Sequence, residues 1–345
     1  MRIGIAFDLV PTNGCIDGPD DRFEEFDKPE TISAIADVLR SEGHEVSLLE
    51  DGPPLLRRLL DDPPDFVWNL AEGHGISRSR EARVPAVLEM LGIPYSGSDP
   101  LTLAATLDKD VARRLMPHGV SVPRGVSLPV DVARETLEAA LAELFGLEWD
   151  DQPVILKPAF EGSSKGIRGQ CLADTPAEAI AVFERLAHDY QQPILIEHFI
   201  AGDEVTVGLI GNGLTTEILG AMRVLPQKAT DRFVYSLEVK RDWQRQVRYE
   251  SPACLDEAVR ERLWEAAMAA YHALACQDVA RIDFRVRNKG PFFIEANPLP
   301  GLSPGTSDLV ILARGHGIEY SDLIKRILNA ALVRVGLAQP EPVSP

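Results

Sequence analysis

The stretch Ala280-Arg281-Ile282-Asp283-Phe284-Arg285-Val286-Arg287-Asn288-Lys289-Gly290-Pro291-Phe292-Phe293-Ile294-Glu295-Ala296-Asn297 decides how this chain is read. Two apolar runs, Ala280 to Val286 and Phe292 to Ala296, bracket a turn containing Asn288-Lys289-Gly290, which predicts a hairpin. In a strand, residues i and i+2 share a face, so Arg281 and Asp283 project together, and so do Glu295 and Asn297. If the two strands pair with these faces aligned, one surface presents two carboxylates, a carboxamide and a guanidinium. Hard oxygen ligands of this kind suit Mg2+, which keeps waters and substrate phosphates in its octahedral shell. Arg281 beside them suits a phosphoryl oxygen or a developing oxyanion. A solvated strand face carrying ion pairs has the same pattern.

After the hairpin comes Pro298-Leu299-Pro300-Gly301-Leu302-Ser303-Pro304-Gly305-Thr306-Ser307, too rich in Pro and Gly to extend a sheet. Ser307 precedes Asp308-Leu309-Val310-Ile311-Leu312 and reads as the N-cap of a helix, either a plain cap or one whose free N–H groups receive a carboxylate. Upstream, a strand Val154 to Lys157 runs into Glu161-Gly162-Ser163-Ser164-Lys165-Gly166, where small residues let backbone N–H groups approach phosphates and lysine supplies charge. An ordinary turn is the other reading, since neither a P-loop nor a dinucleotide fingerprint is matched. In Ile194-Leu195-Ile196-Glu197-His198-Phe199-Ile200-Ala201-Gly202-Asp203-Glu204, Glu197 and Glu204 are acceptors suited to an adenine amino group and to ribose hydroxyls.

Working outward, short strands and helices alternate over the first hundred residues. Arg2 to Asp8 reads as a strand, Pro29 opens a helix whose apolar face is Ile32, Ile35, Ala36 and Leu39, Glu45 to Leu49 and Asp65 to Leu70 read as strands, and Val84 to Leu91 as a helix. This order predicts a parallel sheet. Leu101 to Met116 reads as one helix, Arg134 to Leu144 as another, and a third starts near Pro176. Strands dominate from Ile194 until a helix between Leu255 and Ala275, and a last helix covers Tyr320 to Leu332. The tail from Gln339 to Pro345 is Pro-rich and expected to be disordered.

Composition narrows the classes. The chain has 345 residues, 45% hydrophobic and 26% charged, which excludes wholesale disorder and gives room for more than one core. With 35 Lys+Arg against 53 Asp+Glu, the net charge of −18 repels phosphate backbones and anionic membranes, so neither nucleic acid nor membrane is an expected partner. A carboxylate at Asp8 interrupts any signal-peptide core, and a cytoplasmic location is expected. Cys15, Cys171, Cys254 and Cys276 are scattered and read as reduced thiols.

In order, Lys109, Lys157 with its Gly-Ser-Ser loop, Glu197 to Glu204, Arg281-Ile282-Asp283 and Glu295-Ala296-Asn297-Pro298-Leu299-Pro300-Gly301 resemble the ATP-grasp superfamily, and specifically D-alanine-D-alanine ligases. The resemblance covers nearly the whole chain and implies an α/β (α+β) three-domain ATP-grasp architecture. Its parts would be an N-terminal parallel α/β domain (1–100), a central subdomain (101–192), a C-terminal subdomain with the metal site (193–335) and a disordered tail (336–345). It implies that Lys109, Lys157, Ser163, Ser164 and Lys240 meet the ATP phosphates, Glu197 and the backbone near His198 and Ile200 the adenine, and Glu204 the ribose. Asp283, Glu295 and Asn297 would hold two Mg2+ ions, with Mn2+ as a substitute. Arg281 would stabilise the transferred phosphoryl group, Ser163 and Lys240 would close over it, Gly301 would offer an oxyanion N–H, and Ser307 would take the second substrate's carboxylate.

The chain departs from the family at several points. Arg241 stands where a tyrosine usually follows the lid lysine, and Asp308 where an apolar side chain is common. The family's early glutamate, which the resemblance implies meets the first substrate's ammonium, falls near Glu24 or Glu25. The His-Gly loop is replaced by Ala71-Glu72-Gly73-His74-Gly75-Ile76-Ser77-Arg78-Ser79-Arg80-Glu81, in which His74 is the candidate substrate-site residue. The implied activity is ATP-dependent carboxylate-amine ligation through an acyl phosphate, with a D-Ala-D-Ala-like dipeptide as product, amino-acid or peptide substrates and a homodimeric assembly. The alternatives are an amino-acid or peptide ligase of specialised metabolism and a nucleotide-binding regulator without catalysis.

Overall fold

The computed structural model describes residues 1–11, 18–146, 153–288 and 290–339; Cys15, Lys289 and residues 340–345 of the Pro-rich tail lie outside them. The first unit runs β1 (Arg2–Phe7), α1 (Pro29–Ser41), β2 (Glu45–Glu50), α2 (Pro53–Asp61), β3 (Phe66–Asn69) and α3 (Arg83–Leu91). Its strands pair in the order β2-β1-β3, all parallel, with Ile5 opposite both Leu48 and Trp68. The predicted α1 face is the buried one: Ile32, Ile35, Ala36 and Leu39 are sealed against Ile3, Ile5, Phe66 and Trp68. Each large apolar side chain so buried contributes about 1.5–3 kcal/mol.

Next come α4 (Pro100–Leu107) and α5 (Lys109–Arg114), where the sequence predicts one helix from Leu101 to Met116. The break is chemical. Asp108 leaves the helical conformation and its side chain accepts from the N–H groups of Asp110 and Val111, so it ends α4 and caps α5. Lys109, the residue just after the break, is thereby turned inward and buried.

The central unit contains β4 (Gly125–Leu128), α6 (Arg134–Phe145), β5 (Val154–Pro158), β6 (Leu172–Ala173), α7 (Pro176–Tyr190) and β7 (Ile194–His198), in an antiparallel sheet ordered β4-β7-β5-β6. A division at 192/193 assigns β7 to the C-terminal unit; its pairing with β4 and β5 puts it in the central sheet instead. Likewise α4 and α5 lie against the final strand of the C-terminal sheet rather than in the central unit.

The last unit runs β8 (Asp203–Ile210), β9 (Glu217–Pro226), α8 (Leu237–Arg241), α9 (Trp243–Gln246), β10 (Val247–Glu250), α10 (Glu257–Ala273), β11 (Val279–Arg287), β12 (Gly290–Asn297), α11 (Asp308–Gly315) and α12 (Tyr320–Arg334). Its sheet is antiparallel in the order β10-β9-β8-β11-β12. The two short helices α8 and α9 replace the strand expected there, and α8 carries Lys240 and Arg241. Residues Gly336 to Ala338, assigned by sequence to a disordered tail, close α12 through N–H bonds to the Val333 and Leu332 carbonyls. One core spans the ends of the chain: Ile3, Phe66 and Leu39 belong to the same apolar cluster as Leu309, Leu323, Ile327 and Ala331.

The cysteines have graded exposure. Cys171 and Cys276 are buried and Cys254 is exposed, and burial pushes the first two thiols up to about 11 and about 12. At about pH 8 a thiol reagent is expected to label Cys254 in the native chain, and Cys171 and Cys276 only after unfolding. Peptide mapping after a short exposure checks this; early labelling of Cys171 would contradict it.

Candidate active site

The hairpin face forms as its alternation predicts. β11 and β12 pair with Asp283 opposite Glu295 and Arg281 opposite Asn297, and a bulge follows Asp283. Arg281 donates to Asp283 at 2.9 Å and to Asp308 at 2.7 Å, Asn297 donates to Asp283 at 3.3 Å, and the Thr206 hydroxyl donates to Asp283. Lys109 pairs with Glu295 at 3.0 Å and also donates to the Glu161 carbonyl.

The two facing carboxylates feel opposite surroundings. Burial pushes Glu295 up, but Lys109, Lys157, Arg281 and Lys240 together hold it well below the usual carboxylate range. Burial and the neighbouring Glu295 raise Asp283 to about 6 in spite of Arg281. A concentrated group of cations thus stands inside an acidic chain, beside a carboxylate pair whose repulsion a divalent cation would relieve.

This face opens on two adjoining compartments. The larger, about 480 Å³, is bounded by the 24–31 segment, the Glu72 and Glu81 loop, Lys109, Gly162-Ser163, the α8–α9 region and the 295–308 loop. The smaller, about 70 Å³, is lined by Lys157, Ser164, Glu197, His198, Ile200, Glu204 and apolar Ile155, Phe199 and Ile294. Lys240, Arg281, Glu295 and Asp308 border both.

Several predicted residues sit here with partners the sequence does not reveal. Glu197 is buried and paired with Lys157 at 2.6 Å, and Glu204 with Arg285 at 2.8 Å. The His198 N–H is donated to the Arg124 carbonyl and its ring faces the Leu144 carbonyl at 3.0 Å, and both His198 and Ile200 line the small compartment. Ser163 and Ser164 lie in the left-handed region, which costs a non-glycine residue about 1 kcal/mol or more. The Ser164 hydroxyl donates to the Tyr235 carbonyl, tying the loop to the segment before α8, while Lys240 stacks over the Tyr235 ring at 5.0 Å.

Others depart from their expected roles. Ser307 takes the N-cap position of α11, yet its hydroxyl accepts from the Ser303 N–H instead of a helix N–H; a Cβ added at Gly301 would come within 3.0 Å of that hydroxyl. Asp308 pairs with Arg281 and receives the Tyr235 hydroxyl. Glu25 is buried between Arg80 and Lys165 at 3.0 and 2.9 Å and accepts from the Gly162 N–H, an approach that a Cβ at Gly162 would block. Burial opposes its charge, but Arg80 and Lys165 keep its carboxyl below the ordinary range. Arg241 bridges to Asp20 and Glu24 at the rim. His74 is not part of the cavity: it is exposed, stacked edge-on against Phe26 and 3.1 Å from Asp8.

The loop that carries His74 contributes different residues. Glu72 and Glu81 line the large compartment, and Arg80, buried, donates to the Phe160 carbonyl, Glu25 and Glu161. Asp27, Tyr235, Trp243 and Tyr249 also line it. The sequence points to the histidine of this loop through the family's His-Gly loop; the signal it passes over is the cluster of charges around it, Glu72, Arg78, Arg80 and Glu81.

Residues 131–329 match the family model described as D-ala D-ala ligase C-terminus. A D-alanine–D-alanine ligase of Gloeobacter violaceus is 33% identical over 87% of this chain and 92% of its own length, and that of Aquifex aeolicus is 30% identical over 87% and 94%. Among solved structures, a D-alanine–D-alanine ligase from Bacillus anthracis complexed with ATP superimposes with a TM-score of 0.71 at 24% identity over 97% of this chain and 98% of that one. A D-Ala:D-Ser ligase from Enterococcus faecalis gives 0.70 at 20% identity over 96% and 99%. The structural likeness extends the agreement to the N-terminal sheet that the family model leaves out. With the hairpin face and its cations in the expected register, and with sequence identity sustained over most of the chain, this protein belongs to the D-alanine–D-alanine ligase family.

Proposed function

We propose that the chain is an ATP-dependent carboxylate-amine ligase that joins two amino acids through an acyl phosphate, releasing ADP and phosphate. The observation that carries the reading is the face Arg281, Asp283, Glu295 and Asn297, set with Lys109 at the junction of the two compartments. The small compartment, apolar on Ile155, Phe199 and Ile294, receives the adenine, and Lys109, Lys157 and Lys240 face the phosphates. Asp283, Glu295 and Asn297 are hard oxygen donors fit for Mg2+. When bound, Mg2+ offsets the negative charge of the nucleotide phosphates.

The chemistry asked of the protein is charge stabilisation in two displacements. A substrate carboxylate oxygen takes the terminal phosphoryl group and ADP leaves; an amine then attacks the acyl carbon, loses its proton, and phosphate leaves as the amide forms. Charge builds on oxygens in both, where Arg281 presents a fixed fork of donors. The Ser163-Ser164 loop and α8 close over this point, and closure limits hydrolysis of the acyl phosphate. A homodimer, a cytoplasmic location and a role in supplying a cell-wall dipeptide belong to the same reading, with D-alanine as the first substrate to try.

Incubation with ATP, Mg2+ and either D-alanine or pooled D- and L-amino acids is expected to release phosphate and ADP in step with a ligated product seen by mass spectrometry. Strong turnover with D-alanine alone identifies a D-alanyl-D-alanine ligase. Phosphate release with no ligated product in any pool would refute ligation.

A further inference from the structure

Three carboxylates on one wall of the large compartment stand without a partner. Asp27, Glu72 and Glu81 line it, and among the described residues none of the three makes a hydrogen bond or ion pair through its side chain. Glu81 is the sharpest case, since the residue is only 7% exposed and what remains open borders the cavity. A carboxylate this deep costs free energy unless something pairs with it.

Most of the nearby cations are engaged elsewhere, and Lys28 and Lys240, which also line the compartment, pair with none of the three among the described residues, Lys240 lying over the Tyr235 ring. Lys109 is on Glu295, Arg281 on Asp283 and Asp308, and Arg241 on Asp20 and Glu24. Arg80 and Lys165 are shared between Glu25 and Glu161, which removes those two acids from the account as well. Burial, aided by neighbouring carboxylates, pushes Glu72 well up in spite of Arg80, Glu81 to about 8 in spite of Arg80 and Lys109, and Asp27 to about 7.

We infer that this wall receives a cationic side chain: the amino acid activated beside Arg281 and Lys109 is a basic one, its ammonium or guanidinium held by Glu72 and Glu81. An α-amino acid brings one ammonium next to its reacting carboxylate, and that group satisfies a single acid. Alanine leaves the rest of the wall unpaired, whereas a lysine, ornithine or arginine supplies the second positive charge. The assignment rests on the ligase reading above and names one of its substrates.

Calorimetry on the full chain with Mg2+ and a non-hydrolysable ATP analogue tests it, using both enantiomers of lysine, ornithine, arginine, alanine and the uncharged lysine analogue norleucine. At least one basic amino acid is expected to bind about 10- to 100-fold more tightly than alanine or norleucine. Glu72→Gln and Glu81→Gln, which keep shape and remove charge, are each expected to weaken that binding roughly tenfold. Alanine or norleucine binding as tightly as the best basic amino acid to the unaltered chain overturns the assignment, and so does unchanged affinity in the Glu72→Gln/Glu81→Gln double variant. A basic amino acid that binds as expected but yields no ligated product with any amine refutes the ligase reading while leaving the cation wall in place.

Discussion

Arg281→Met is expected to lower kcat for ligation by about 10²- to 10³-fold, the loss typical of removing a donor aimed at developing negative charge. Arg281 also holds two largely buried acids, Asp283 and Asp308, so its removal strands them and is expected to cost about 3 kcal/mol of stability. The two losses separate in a second variant. Arg281→Met/Asp308→Asn removes one stranded charge, which is expected to recover part of the stability seen in denaturant melts while turnover stays low. Arg281→Lys retains charge but not the planar fork that reaches both acids, and is expected to lie between the parent and the Met variant. Recovery of turnover in the double variant would reduce Arg281 to a structural counter-ion.

How far such a site is legible depends on whether its logic is local. The i, i+2 alternation of Arg281-Asp283 and Glu295-Asn297 sits inside one hairpin, so its face could be read before any coordinate was known. The α1 face was legible for the same reason, since four apolar residues at helical spacing leave one way to bury them. Asp108 shows where pattern fails: apolar periodicity continues across it from α4 into α5, but a single side-chain cap breaks the helix. The polar helices α8 and α9 are too short to show any periodicity.

Pairing across distance was invisible. Lys165 meets Glu25 across 140 positions of sequence, and Arg80 meets Glu161 across 81, so neither pair leaves a trace in local spacing. These pairs change the meaning of the residues involved. Glu25, read as a substrate acid, is consumed by two cations, and the open acids turn out to be Glu72 and Glu81 on a loop from which only His74 had been chosen. Burial and partnership, rather than residue type, decide which carboxylate is available.

Asp278→Ala is expected to destabilise the fold by about 3–5 kcal/mol, because it breaks a charged network at the meeting point of three segments. Asp278 is fully buried and accepts from the Gly97 N–H at 2.7 Å, from the Asn212 side chain at 2.9 Å and from Arg334 of α12 at 2.7 and 2.8 Å. Arg334 in turn donates to the Tyr95 carbonyl. The end of the N-terminal unit, the turn after β8 and the last helix are thus fastened to the residue that immediately precedes β11. Its φ of +64 adds a backbone requirement that alanine meets poorly and asparagine meets well. Asp278→Asn should therefore cost distinctly less than Asp278→Ala, since it keeps the backbone and an acceptor for Gly97 while losing the charge opposite Arg334. Denaturant titrations of both variants, with Arg334→Met and the Asp278→Asn/Arg334→Met pair, close a cycle in which the pair should cost less than its parts summed. A loss below about 1 kcal/mol for Asp278→Ala would mean that Arg334 finds water or another acceptor when its partner is gone. Because β11 begins at the next residue, a measured coupling would also tie the placement of Arg281, three positions along, to a contact remote from the chemistry.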